Sequence, residues 1–199
     1  DVMDGYRYRW RRRRRRRDRG SGREFRPMWF LQAGVGLHGG GCRGISCKPL
    51  RGEGTEDHDR GTGRGGLYFQ IRGSGELCSV DGAPETIMAG LNCGTPCKSI
   101  WPVLKSVPAA YVTCKDYAAA HAMRAYAKPA GDDPVIVSGE SGASTMGAVL
   151  MLLERPELEA ARKALGLGAD SVILLINTEG DTDPVSYRNI VECGAYPLP

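Results

Sequence analysis

Ser171-Val-Ile-Leu-Leu-Ile176, followed by Asn177 and then Thr178-Glu-Gly-Asp-Thr-Asp183, decides how this chain reads. The first six residues are apolar on both pleat faces, the pattern of a buried parallel strand rather than of a half-solvated antiparallel one. In open parallel sheets ligands bind beyond the carboxyl ends of the strands. The six residues after Asn177 occupy that position and bring three carboxylates, two threonines and a glycine. Two structural roles compete with a binding role there. One is a helix-capping turn, with Asp181 or Asp183 as the cap, and the other is a divalent-cation loop, for which EF-hand spacing is absent.

Working outward, Asp183-Pro184 starts a last helix through Glu192. Upstream, Pro156 sits in the first turn of a helix over Glu157–Leu165, which Gly166 and Gly168 end. Ser141–Glu154 forms an Ala/Met/Leu-rich helix, and Val135-Ile-Val137 before it a short strand. Tyr117–Lys128 forms a helix with Asp116 as N-cap, stopped by Pro129-Ala-Gly131, and Ala110–Cys114 a strand ahead of it. Strands alternating with helices predict an α/β fold, with a parallel sheet flanked by helices on both sides. Ser138-Gly-Glu-Ser-Gly-Ala143 follows one such strand and opens a helix, where small residues let a cofactor or anion approach. It departs from the GxSxG nucleophile elbow at Ala143. Tight helix packing is its bland alternative.

The first third is chemically different. Residues 1–72 hold 18 Lys/Arg against 8 Asp/Glu, whereas residues 73–199 hold 9 against 15. Arg11–Arg17 is unbroken arginine, and residues 37–66 are Gly, Arg and charged residues without periodicity, which predicts an irregular or disordered segment over 1–73. Four pieces result: an Arg-rich segment 1–29, a strand with a glycine loop 30–36, a Gly/Arg-rich segment 37–73, and an α/β part 74–199. In the second, Phe30-Leu-Gln-Ala-Gly-Val-Gly36 offers backbone N–H groups that can close on a phosphate. Gly34–Gly39 also fits GxGxxG, but no helix-forming sequence follows, which weakens a Rossmann reading.

No run of about 18 apolar residues predicts a membrane span, and no apolar stretch backs the N-terminal arginines as a secretory signal, leaving the cytoplasm as default compartment. The seven cysteines, at 42, 47, 78, 93, 97, 114 and 193, include no CxxC pair. Cys93 and Cys97 lack a second ligand pair, so reduced thiols are expected and no metal.

Taken in order, Phe30–Gly36, Thr86-Ile-Met-Ala-Gly-Leu91 with Cys93-Gly94, Ser138–Ala143, and Thr178–Asp183 with Tyr187-Arg188 resemble the diaminopropionate ammonia-lyases. The likeness is good over residues 77–192, with an island at 30–36. It implies the tryptophan-synthase-β-like (fold type II) architecture, pyridoxal 5'-phosphate (PLP) as cofactor, and α,β-elimination of the small amino acid 2,3-diaminopropionate to pyruvate and ammonia. It implies a homodimer for the intact enzyme. By the same resemblance Ala33, Gly34, Val35 and Gly36 hold the cofactor phosphate and Thr178 faces the pyridine nitrogen. Glu140 and Glu179 would stand near the ring behind them. The family's Schiff-base lysine lies in its N-terminal half, and Lys48, Lys98, Lys105, Lys115, Lys128 and Lys163 do not match it. The chain alone is therefore expected to lack a catalytic lysine and turnover.

The aberrant stretches read as family sequence in shifted frames. With permitted codons, Asp57 through Gly73 read one nucleotide later can give TMIVEPDEADCIFKSAV, and Leu37 through Glu56 can give CMAGGAGVFRANLYGEREPK. In the other frame Arg9-Trp-Arg-Arg-Arg shifts to Met-Ala-Glu-Glu-Ala, and Glu24–Phe30 to GIPTHVV. Residues 7–30 and 37–73 are thus expected to be frameshifted. Two other classes compete with the lyase reading: nucleic-acid binding through the arginine tract, with a solvated tail as its bland alternative, and dinucleotide binding through Gly34–Gly39.

Overall fold

A computed structural model describes residues 28–30, 76, 77, 79, 86–99, 101, 102 and 112–199. Strand β1 is Met28–Phe30 and β2 is Ile173–Leu175, and they pair in parallel with Met28 opposite Ile173 and Phe30 opposite Leu175. The helices are α1, Asp116–Ala127; α2, Glu140–Glu154; α3, Glu159–Leu165; and α4, Pro184–Val191. There are also two 3-10 turns, Ala89–Leu91 and Pro156–Leu158, and Trp101 and Pro102 are helical.

Each boundary has a local cause. Alanines carry α1, the best helix formers, and Pro129 follows its C-cap at Lys128. Arg155, extended because Pro156 follows it, ends α2. Gly166 takes φ +70 after α3, and the N–H of Leu167 returns to the carbonyl of Arg162, so the chain turns left-handed out of the helix and buries Leu167. The Asp183 side chain accepts from the amides of Val185 and Ser186, with Pro184 at the first helical position of α4.

Helix α2 is the centre of the unit. One side packs with α3 on the strand pair, through Phe30, Val149, Leu152, Leu165 and Leu167. The other meets α1 and α4, through Ala120, Ala122, Met123, Ala143, Ile190 and Val191. Small residues set the α1–α2 distance. A Cβ on Gly147 would lie 2.5 Å from the carbonyl oxygen of Ala118, so the two backbones touch.

The structure departs from the sequence expectation in its sheet. Among the described residues it is a two-stranded parallel pair beside four helices. Residues 112–114 are irregular, and Ala110 and Tyr111 lie outside the described residues. Val135–Val137 runs without ladder pairing, with Val135 64% and Val137 47% exposed. Strand β2 is half-buried rather than buried on both faces, and Val172 beside it is 47% exposed. A strand of this composition is shielded only when strands flank both edges and layers cover both faces, and β2 has β1 alone among the described residues. Asp116 is also not a cap. Lys115 holds the N-cap position without a side-chain cap, because the Asp116 carboxylate is drawn to Thr86 and Ile87 instead.

Candidate functional site

The carboxyl end of β2 lies beside the N-terminus of α2, and three of the strings singled out in sequence converge there. Gly139, the extended N-cap residue of α2, has no side chain to cap with. Its amide instead reaches the backbone carbonyl of Glu179 at 3.3 Å, and the amide of Gly142 donates to Glu179 Oε2 at 2.5 Å. A carboxylate at the positive end of a helix meets both unpaired N–H groups and the aligned peptide dipoles. The approach is too close for any Cβ at Gly139, which would fall 2.6 Å from the carbonyl oxygen of Gly180 and 2.7 Å from Glu179 Cδ. At Gly142 a Cβ would collide with Asn177 Oδ1. These glycines are therefore required by packing between α2 and the loop after β2.

The third string enters from above α2. Thr86 donates its hydroxyl to Asp116 Oδ1 at 2.5 Å, and the Ile87 amide reaches Asp116 Oδ2 at 3.3 Å, tying the segment to the start of α1. The 3-10 turn that follows lays the Gly90 amide on Ser141 Oγ at 3.0 Å, within the first turn of α2. Below, Glu140 is 8% exposed and its Oε1 accepts the Ser186 hydroxyl at 2.6 Å, joining α2 to α4.

The sequence-derived candidates are thereby distributed. Thr178 is exposed at the carboxyl end of β2, Glu179 is half-buried against α2, and Glu140 is buried against α4. Ala33, Gly34, Val35 and Gly36 lie outside the described residues, as do Lys48 and Lys105. Lys163 pairs with Glu159 at 2.6 Å across one turn of α3, while Lys115 and Lys128 stand at the two ends of α1. Asn177, Ser141, Ser186 and Asp116 were not singled out as site residues. Asn177 had a sequence signal, since Asn directly after a strand often closes an Asx turn, and its Oδ1 does accept the Glu179 amide at 3.0 Å. The others act across 30 or more residues of chain, where local pattern carries no information.

A threonine hydroxyl both donates and accepts, so the exposed Thr178 could meet either a donor or an acceptor on a ligand. Near the site, burial and then the Asp116 charge push the Cys114 thiol up to about 11, which keeps it protonated at neutral pH. Among the described residues no group of His, Cys, Asp and Glu is arranged to hold a metal ion, and no helix is long and apolar enough to cross a membrane.

No protein-family model matches the chain. Among curated proteins it is similar to the diaminopropionate ammonia-lyase of Escherichia coli, 35% identical over 166 residues, which cover 83% of this chain and 42% of the relative. The Salmonella typhimurium enzyme of the same name is 34% identical over 168 residues, covering 81% and 41%. Two solved structures of the E. coli enzyme agree. One, in complex with an aminoacrylate-PLP azomethine reaction intermediate, superposes with a TM-score of 0.69 at 32% identity over 87% of this chain and 44% of that one. The other, in complex with D-serine, gives 0.59 at 34% over 66% and 32%. The aligned 83% is more than residues 74–199 amount to, so the likeness extends upstream into the Arg/Gly-rich part. The chain spans about two fifths of the length of the curated relatives it matches. Over that shared part, in sequence and in fold, it belongs to the diaminopropionate ammonia-lyase family.

Proposed function

We propose that this chain forms one wall of the PLP site of a diaminopropionate ammonia-lyase of fold type II, the activity being α,β-elimination of 2,3-diaminopropionate to pyruvate and ammonia. One observation carries the reading. Thr86–Leu91, Ser138–Ala143 and Thr178–Asp183, far apart in sequence, meet at the carboxyl end of β2 and the first turn of α2. Bound PLP would act as the sink for the electron pair left when the α-proton is removed. The chain's own residues hold and orient. In the intact enzyme the Thr178 hydroxyl would meet the pyridine nitrogen, Ala33–Gly36 would offer backbone amides to the phosphate, and Glu140 and Glu179 would fix the helix and loop behind the ring.

The Schiff-base lysine is not among this chain's lysines, so the chain by itself binds without turning over. The expected result with PLP and 2,3-diaminopropionate is no pyruvate in a lactate-dehydrogenase-coupled assay, together with retention of PLP in equilibrium dialysis. Thr178→Val then weakens that retention. Pyruvate formation by the purified chain would overturn the missing-lysine assignment, and unchanged PLP affinity in Thr178→Val would overturn the role of Thr178. The intact enzyme is assigned to the cytoplasm, as a homodimer.

Residues 7–30 and 37–73 belong in the same proposal as frameshifted coding sequence, and the chain is separately divided into pieces at 29/30, 36/37 and 73/74; of the first stretch, Met28–Phe30 nonetheless forms β1. Support comes from the shifted readings, which restore a helix-like segment over 37–56 and a strand-like segment over 57–73, both after Gly36. The nucleotide sequence decides it: codons that do not give those peptides in the shifted frames refute the frameshift.

A further inference from the structure

We infer that Asn177 and Glu179 are a two-point clamp on helix α2, which makes Glu179 a positioning residue for Thr178 rather than a group acting on the ring. Asn177 and Glu179, two residues apart, both turn onto α2. Asn177 Oδ1 lies against Gly142 and accepts the Glu179 amide at 3.0 Å, and Glu179 Oε2 accepts the Gly142 amide at 2.5 Å. Thr178, between them, has no part in these clamp contacts and is exposed.

Both ends of the clamp are short of alternatives. The N-cap residue of α2 is a glycine and provides no side-chain cap, so the helix takes its acceptor from a residue 37 positions away. Around it Gly139 and Gly142 leave no room for a Cβ, so loop and helix have one mutual register. The Gly139 amide on the Glu179 carbonyl adds a third tie, through the backbone. With its carboxylate spent on the amide of Gly142, Glu179 sets the direction of Thr178. The inference rests on the cofactor reading of Thr178, and the two can fail separately.

The test uses the full chain and four variants, Glu179→Ala, Glu179→Gln, Asn177→Ala and Thr178→Val. Amide hydrogen exchange is followed residue by residue without ligand, and PLP affinity by equilibrium dialysis. Loss of a charge-assisted hydrogen bond predicts about tenfold faster exchange at Gly142 and through 177–183 in Glu179→Ala, with PLP affinity about tenfold weaker. Glu179→Gln keeps an acceptor oxygen and restores both to within about threefold of the parent, a rescue that general loss of stability would not show. If Glu179→Ala fails to fold, Glu179→Gln and Asn177→Ala decide. Glu179→Gln then behaves as the parent, and Asn177→Ala speeds exchange at the Glu179 amide. Parent-like exchange over 177–183 in Glu179→Ala overturns the clamp. So does faster exchange with unchanged PLP affinity while Thr178→Val weakens it. Faster exchange with PLP affinity indifferent to Thr178→Val upholds the clamp and removes the cofactor reading.

Discussion

Gly147→Ala is a demanding test of the structure, because intrinsic helix preference and tertiary packing predict opposite signs. In an exposed helix the change stabilises by about 1 kcal/mol, since Ala is the better helix former. At position 147 the new Cβ would stand 2.5 Å from the carbonyl oxygen and 2.7 Å from the carbonyl carbon of Ala118, and 3.1 Å from the amide nitrogen of Ala119. These are backbone atoms, so no side chain can swing aside. Restoring ordinary contact moves α1 away from α2 by roughly 1 Å. That loosens Ala118, Ala119, Ala120 and Ala122, each at most 1% exposed. Overpacking of this kind costs about 1–3 kcal/mol, and the fixed backbone target places it at the upper end. After the helix-propensity gain, Gly147→Ala should be about 1–2 kcal/mol less stable, read from urea unfolding followed by circular dichroism. The control is Gly168→Ala, where nothing lies within 4 Å of the added Cβ and φ is not left-handed, so the change stays within about 0.5 kcal/mol. A Gly147→Ala chain as stable as the parent, or more so, would refute the backbone contact between α1 and α2.

Further outcomes follow from single groups. Asp183→Ala removes the cap accepted from Val185 and Ser186 and should cost about 1 kcal/mol in the same unfolding measurement, whereas Asp181→Ala should be near neutral. Equal losses for the two would sink Asp183 as the cap. Cys114, its thiol raised to about 11, should react with iodoacetamide at pH 8 far more slowly than exposed Cys193, as judged by peptide mapping. Comparable labelling rates would contradict that burial. Because the folded value lies above the ordinary thiol value of 9.0, the protonated form is favoured by folding. Its contribution to stability is full below pH 9 and is lost as pH rises to about 11. Cys114→Ser should accordingly lose less melting temperature than the parent between those pH values.

Much of the helical part was legible in the chain itself, because its signals are local. Gly166 ends α3, Pro156 separates it from α2, and Asp183-Pro184 starts α4, each through its own backbone or side chain. The strands were less legible. Val135–Val137 has strand composition, yet composition cannot supply the neighbour that would pair it. Asp116 illustrates the same limit at a helix end. An acid before an alanine run is a good cap by local rules, but Thr86, 30 residues away, takes its carboxylate.

By itself the sequence determined the family, because four motifs in order at 30–36, 86–94, 138–143 and 178–188 are carried by residue identity alone. It likewise determined where the helices run and which carboxylates belong near one end of β2. Only the tertiary structure decided what those carboxylates do. Glu140 and Glu179 read alike in sequence, as acids beside small residues. In the fold one is bound to the Ser186 hydroxyl on α4, and the other to a backbone amide at the start of α2. A carboxylate's role is set by the nearest donor in space, and the nearest donors here lie 46 and 37 residues away along the chain. No periodicity or local propensity reaches that far.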